Sequence, residues 1–391
     1  MLRRATGAAK CPQASRSAAA LSGLPHPGVR GITGFVTSNE REQTTARRGA
    51  VCGLLAAALF GVSPPLAKLL LGEVTPQVLA GLLYLGAGVA VGLYRWLSPS
   101  TEPPLRRPDL PLMAAVVLTG GVVGPLAMLL GLQRTTAVAG ALLLNLEAPF
   151  TILLAAAVFG EHLGRQAVTA ALLIVAGALL LSVQPGQVGA HGAGVLLLAI
   201  ACAAWAIDNN LTQRLSLHDP VAVVRVKTLA AGSVNLLLGL WVAGGALPGA
   251  AVIVAALLLG SVSYGASVVL DVYALRLVGA AREAAYFATG PFFGALAAKA
   301  ILGERLGFSA SAAAVLMAGG IVLFLRERHV HLHGHQELDH THAHVHDRHH
   351  VHEHGSADPA GDPHVHRHRH TNFVHAHAHV PDAHHRHRHS S

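Results

Sequence analysis

The feature that most constrains this chain is the length of its apolar stretches. Runs of roughly 17 to 25 residues recur along the sequence, each long enough to cross a hydrocarbon core of about 30 Å as a helix. Ten can be drawn: 51–71, 76–97, 111–132, 137–159, 166–183, 192–213, 221–243, 250–275, 280–302 and 309–325. A transmembrane β-barrel would instead show alternating segments of about ten residues, and these runs do not alternate. Composition agrees: 12% of residues are charged, against about 25% in soluble domains. The 42 glycines suit a bundle in lipid, where small residues let helices approach closely. The expected fold class is therefore an all-α integral membrane protein of ten transmembrane helices.

Charge placement sets the topology. With the amino terminus inside, the inner segments hold Arg41, Arg47, Arg48, Arg95, Arg106, Arg107, Arg165, Arg214, Arg276, Arg282, Arg326 and Arg328, and the outer loops hold Arg134 and Arg305. That asymmetry follows the positive-inside pattern and predicts a multi-pass protein of the inner (plasma) membrane with both termini cytoplasmic. It also accounts for the formal charge of +8 without nucleic acid as a partner. Cys11, Cys52 and Cys202 have no paired spacing, so no disulfide framework or zinc knuckle is expected. Residues 1–48 are basic, broken by Pro25 and Pro27, and read as disordered.

The sequence repeats itself. Phe159-Gly160-Glu161-His162-Leu163-Gly164 recurs as Leu302-Gly303-Glu304-Arg305-Leu306-Gly307, and Pro149-Phe150 as Pro291-Phe292. Around Pro76, Leu70 to Ala80 matches Arg214 to Val224 around Pro220. The first unit spans 49–184 and the second 190–326. Five helices per unit makes the second enter the membrane from the opposite side, an inverted 5+5 repeat. Such repeats build secondary transporters, with the substrate held between the halves.

These residues resemble the drug/metabolite transporter superfamily, specifically the EamA-type permeases. The likeness rests on the Pro-Phe-x-x-x-Leu helix running into Gly-Glu-x-Leu in each half, on Lys68…Pro76, and on Ala201 to Asn210 as an opening helix of the second half. It implies a permease for an amino acid, another small organic metabolite or a drug, working by alternating access as one half rocks against the other. Neither an enzyme nor an ATP-driven pump is expected: there is no concentrated polar constellation and no Gly-x-x-x-x-Gly-Lys phosphate loop.

Polar groups within the spans are the functional candidates, because they are costly there. Glu147 stands in mid-run, and a carboxylate in low-dielectric surroundings suits proton or cation coupling. Asn145, two residues away on a helix, points about 200° from it. Asp208, Asn209 and Asn210 lie at the repeat-equivalent depth of Pro64-Pro65, so both halves interrupt a plain apolar helix at one level. Lys68 and Tyr264 are further substrate or coupling candidates, with interface snorkelling the alternative for Lys68 and Lys227. Asp271, Arg282 and Glu283, with Arg276, read as an inner gate or a simple anchor. Gly88-x-x-x-Gly92 has the spacing of a small-residue helix contact, and a homodimer is among the partners considered.

From residue 327 the composition changes to a tail expected to be disordered. It holds 23 of the 27 histidines. His340, His342, His344 and His346, and again His375, His377 and His379, fall on alternate residues, a spacing that puts imidazoles on one side of an extended strand. Imidazole suits Zn²⁺, Ni²⁺ and Co²⁺. Transport requires no cofactor on this reading, and the tail supplies a second one: a divalent-metal transporter or metal-regulated exporter.

Overall fold

The structure, a computed structural model, describes residues 32–100, 102–159, 164–182, 188–215, 218–278, 280–326, 329–335, 338–344, 364–370 and 373–379. Among them are ten helices long and apolar enough to span a membrane. They are α1 (Thr44–Leu70), α2 (Pro76–Leu97), α3 (Arg107–Leu132), α4 (Ala137–Val158), α5 (Arg165–Ser182), α6 (His191–Leu215), α7 (Pro220–Val242), α8 (Ala250–Val278), α9 (Arg282–Leu302) and α10 (Phe308–Arg326). Each apolar run read from the sequence became one span. Proline opens α2 and α7, where its missing N–H is no loss.

The helices pair as a two-fold repeat requires. α2 packs on α7, α4 on α9 and α5 on α10, while α3 lies against α6 as α8 lies against α1. Glycine permits the closest crossings. A Cβ at Gly86 would strike the backbone of Leu257, and one at Gly260 would strike the backbone of Leu83. Gly88 is engaged in the same way, its face taken by Thr228 and Leu229 of α7. A Cβ at Gly92, by contrast, would meet nothing within 4 Å.

Two spans are locally underwound by one wide turn each. Val117–Val123 in α3 and Ser261–Ala266 in α8 form i→i+5 π turns, with Gly124 N–H donating to Thr119 O and Ser267 N–H donating to Val262 O. They begin 144 residues apart, the offset of the internal repeat. α1 is interrupted at Val62, where the helix ending at Gly61 gives way to one beginning at Ser63, just before Pro64-Pro65.

Two regions differ from expectation. Residues 32–43 are helical rather than disordered; beyond Gly34 this stretch has no glycine or proline and contains Glu40, Arg41, Glu42 and Gln43, all good helix formers. The tail carries four strands, β1 (His329–His335), β2 (Leu338–His344), β3 (His364–His370) and β4 (Phe373–His379). They form two separate antiparallel ladders, β1 with β4 and β2 with β3. Strict alternation at a period of two is the pattern of a strand, and it outweighs the polar composition here.

Candidate substrate site between the two halves

The centre of the site is an ion pair. Lys227 Nζ of α7 donates to Asp208 Oδ2 of α6, and Thr212 Oγ1 one turn on donates to Asp208 Oδ1 at 3.3 Å. Asp208 is 3% exposed, so its charge is compensated by partners rather than by water. The two residues are equally far from the α6–α7 turn, about 10 Å in from it at 1.5 Å per residue, which brings them level in an antiparallel hairpin. Lys227 therefore does not snorkel to the interface.

A glycine makes room for this carboxylate. At Gly120 of α3 any Cβ would collide with Asp208 Oδ2 and Cγ. The same glycine offers its carbonyl. Gly124 N–H is spent on Thr119 O, and Pro125 has no N–H to give, so the wide turn leaves Gly120 O without an intrahelical donor. Tyr84 Oη donates to it at 2.8 Å and Trp205 Nε1 at 3.1 Å. Gly121 O, whose α-helical donor would again be Pro125, accepts from Asn235 Nδ2 at 2.8 Å. Proline thus frees two carbonyls at mid-span, and side chains of α2, α6 and α7 converge on them.

Glu147 begins the second part of α4, after a tight turn at Leu144–Leu146. Asn209 Nδ2 donates to Glu147 Oε1 at 2.7 Å. Adjacent α6 positions thus engage both carboxylates read from the sequence: Asp208 is itself on α6 and pairs with Lys227, and Asn209 donates to Glu147 of α4. An aromatic wall stands beside them. Tyr264 of α8 is 5.8 Å from Tyr84 and 5.6 Å from Phe60 between ring centroids, and its hydroxyl accepts from Ser63 Oγ at 3.1 Å.

The other candidates lie elsewhere. Asn145 is buried and donates to Leu142 O at 2.9 Å and towards Met317 Sδ at 3.7 Å, holding α4 against α10. Asn210 donates to Ala206 O and to Thr151 O, tying α6 to α4. Both are helix clamps. Lys68 is at the α1–α2 end, where Nζ donates to Thr135 O and lies 3.8 Å from Glu304 Oε1. It sits in the last turn of α1, too near the end to reach the central site. Glu304 in turn accepts from Ala137 N and Val138 N, both at 2.8 Å. A carboxylate from the second half thereby satisfies the open N–H groups at the start of α4 in the first.

At the opposite end the ionic contacts use partners that the sequence did not suggest. Arg276 pairs with Glu102, Arg95 with Asp219, and His218 Nε2 lies 3.1 Å from Asp109 Oδ2. Tyr94 and Tyr273 hydroxyls meet at 2.8 Å. Burial pushes the Glu102 carboxyl above its usual range, and the Arg276 guanidinium opposes that shift. Among the described residues Asp271 Oδ1 is buried with no hydrogen-bond partner, and Arg282 forms no salt bridge with Asp271 or Glu283. Of the group read as an inner gate or anchor, Arg276 is the member in an ion pair among the described residues, because at the end of α8 it reaches Glu102 in the α2–α3 connection. Of the histidines singled out in the tail, His340, His342 and His344 lie on β2 and His375, His377 and His379 on β4. These runs are not partners: β2 pairs with β3 and β4 with β1. His346 lies outside the described residues.

Tyr84, Gly120, Trp205 and Asn235 escape a search for charged residues within apolar runs, and Lys227 is found by it but read as snorkelling. Gly120 and Gly121, five and four residues ahead of Pro125, and the matched depth of Asp208 and Lys227 about one turn, are the signals that find them.

Comparison with known proteins agrees with this architecture. The model of the EamA-like transporter family matches the chain twice, over residues 47–183 and 192–326. The chain belongs to the EamA-like transporter family, as a multi-pass membrane protein with two repeated halves. An uncharacterized transporter from Methanothermobacter thermautotrophicus (strain Delta H) is 27% identical over 293 residues, covering 70% of this chain and 85% of that protein. A protein known from a crystal structure shares the fold, with a TM-score of 0.53 and 19% identity, over 71% of this chain and 96% of the other.

Proposed function

We propose that the protein is a secondary transporter that moves a small organic solute, an amino acid, other metabolite or drug, across the inner membrane by alternating access. The observation that carries this reading is the Asp208–Lys227 pair, set between the halves beside Glu147–Asn209 and the Tyr84, Trp205 and Tyr264 side chains. An ammonium and a carboxylate at one depth match a solute bearing both charges, and the aromatic wall suits its apolar part. Ionic and capping contacts stand at both ends of the bundle, Lys68–Glu304 at one and Arg95–Asp219 with Arg276–Glu102 at the other. Glu147 carries the coupling proton or cation on this reading. The positive-inside bias supports a cytoplasmic position for both termini, and no catalytic role is assigned to any residue. The metal-cargo alternative draws no support from the spans: among the described residues no group of three His, Cys, Asp or Glu could hold an ion.

The test is counterflow of labelled amino acids and amines in proteoliposomes at two imposed pH gradients. The wild type should exchange at least one solute class, Asp208→Asn should not, and Glu147→Gln should exchange without responding to pH. Full activity of both variants under both gradients would overturn the assignment. Flux of Zn²⁺, Ni²⁺ or Co²⁺ through protein lacking residues 329–391 would put the metal reading in its place.

A further inference from the structure

Where α3 begins, two adjacent arginines carry charge that no protein group answers. Arg106 and Arg107 are exposed, and among the described residues neither enters a salt bridge. Arg95 and Arg276, at the same end of the bundle, are spent on Asp219 and Glu102. The repeat-equivalent positions at the start of α8, Gly249 to Ala251, are uncharged, so the two-fold plan does not call for the pair.

The arginines stand at the mouth of a hollow of about 200 Å³ between α3 and α7. Leu110 and Met113 of α3 and Val226 of α7 line it further in. Met113 and Val226 are each six residues beyond the first residue of their span, Arg107 and Pro220. At 1.5 Å per residue both lie about 9 Å in from that end. Charge gives way to apolar surface over this distance. Leu110 is 60% exposed and Met113 only 3%, and Met113 belongs to a buried cluster with Val116, Leu215 and Val223 that closes the floor. Asp109 shares the rim, but its Oδ2 is engaged: it accepts from Arg106 N–H at 2.7 Å and lies 3.1 Å from His218 Nε2.

We propose that this hollow binds an anionic phospholipid of the inner leaflet. Arg106 and Arg107 hold the phosphate, and the glycerol and first methylenes lie on Leu110, Met113 and Val226. The order of the surfaces selects a lipid: a soluble anion would use the mouth and leave the apolar part bare. Basic pockets between spans on the cytoplasmic side are sites for acidic headgroups. A lipid seated here touches α3 of the first half and α7 of the second, the two bodies that rock against each other in the transport reading. Its inner-leaflet position rests on the topology of that reading.

Native mass spectrometry of the full-length protein in detergent tests this, with phosphatidylglycerol and phosphatidylcholine of identical chains as probes. The wild type should hold a first phosphatidylglycerol roughly thirtyfold more tightly than phosphatidylcholine, the preference expected of two arginines near a membrane surface. R106Q/R107Q should erase that preference. V226F keeps both charges, fills the apolar part, and should weaken phosphatidylglycerol binding. A control, R165Q/R326Q, removes two other exposed arginines of the same end and should leave the preference intact. Equal binding of the two lipids by the wild type would overturn the site, as would an equal loss in the control, or V226F binding like the wild type. Displacement of phosphatidylglycerol by inorganic phosphate would make the ligand a soluble anion and overturn the lipid assignment. Binding in detergent depends neither on orientation nor on the solute carried, so its failure would leave the transport reading standing, and failed counterflow would leave the lipid site standing.

Discussion

The two halves are built to one plan, yet at equivalent positions they hold opposite things. In the second half, the first helix presents Asp208, and the third helix of the first half yields to it with Gly120. In the first half the same level holds Pro64, and the third helix of the second half fills the space with Tyr264, whose hydroxyl accepts from Ser63. Glycine against carboxylate on one side answers tyrosine against proline and serine on the other. One of two equivalent places became charged and roomy while its twin became aromatic and closed.

That contrast breaks most forcefully at Asp208. Asp208→Asn leaves Lys227 without its buried partner, a change that costs on the order of 3 kcal/mol. Transport should fall to background, with a clear drop in thermal unfolding temperature in detergent. The double variant Asp208→Asn with Lys227→Met should recover most of the stability and none of the transport. Recovery of both would reduce the pair to a helix clamp. Next in size is Gly120→Ala, which drives a methyl group into the carboxylate; overpacking of this kind costs about 1–3 kcal/mol, and solute flux should drop at least about tenfold if Asp208 is displaced from the path. An unchanged flux would mean that α3 backs away and that the glycine is not a fitted space.

On the closed side the effects should be smaller. Tyr264→Phe removes one hydrogen bond, worth about 1 kcal/mol, and flux should stay within about threefold of the wild type, as a small barrier change allows. A complete loss would show that the aromatic side is as much a binding surface as the charged one. Smallest of all is Tyr84→Phe, because Gly120 O keeps Trp205 Nε1 as a donor. An unfolding curve displaced by less than about 1 kcal/mol is expected.

Most of the architecture was legible in the chain. Ten apolar runs, the repeated Gly-Glu-x-Leu and the placement of arginine suffice, because lipid admits few other solutions. Glu147 and Asp208 were legible for the same reason, as charges where charge is expensive. Lys227 was not, because its distance from a helix end suggests snorkelling until α6 and α7 are laid side by side. Tyr84 and Trp205 were hidden by their apolar bodies, and their role depends on a carbonyl that only the wide turn and Pro125 set free. Asn145 and Asn210 carry the opposite lesson: a polar side chain in a span can spend its donors on the backbone of its own neighbourhood.

The contact from Glu304 to Ala137 N and Val138 N has a consequence for how the gene could be divided. The helix bearing Glu147 starts on a cap supplied from the far end of the chain, and its neighbour α9 comes from there too. The stretch that was duplicated is therefore not the stretch that stands alone. Split between α5 and α6, the two fragments should each fail to accumulate when expressed singly, and should co-purify as an interlocked pair when expressed together.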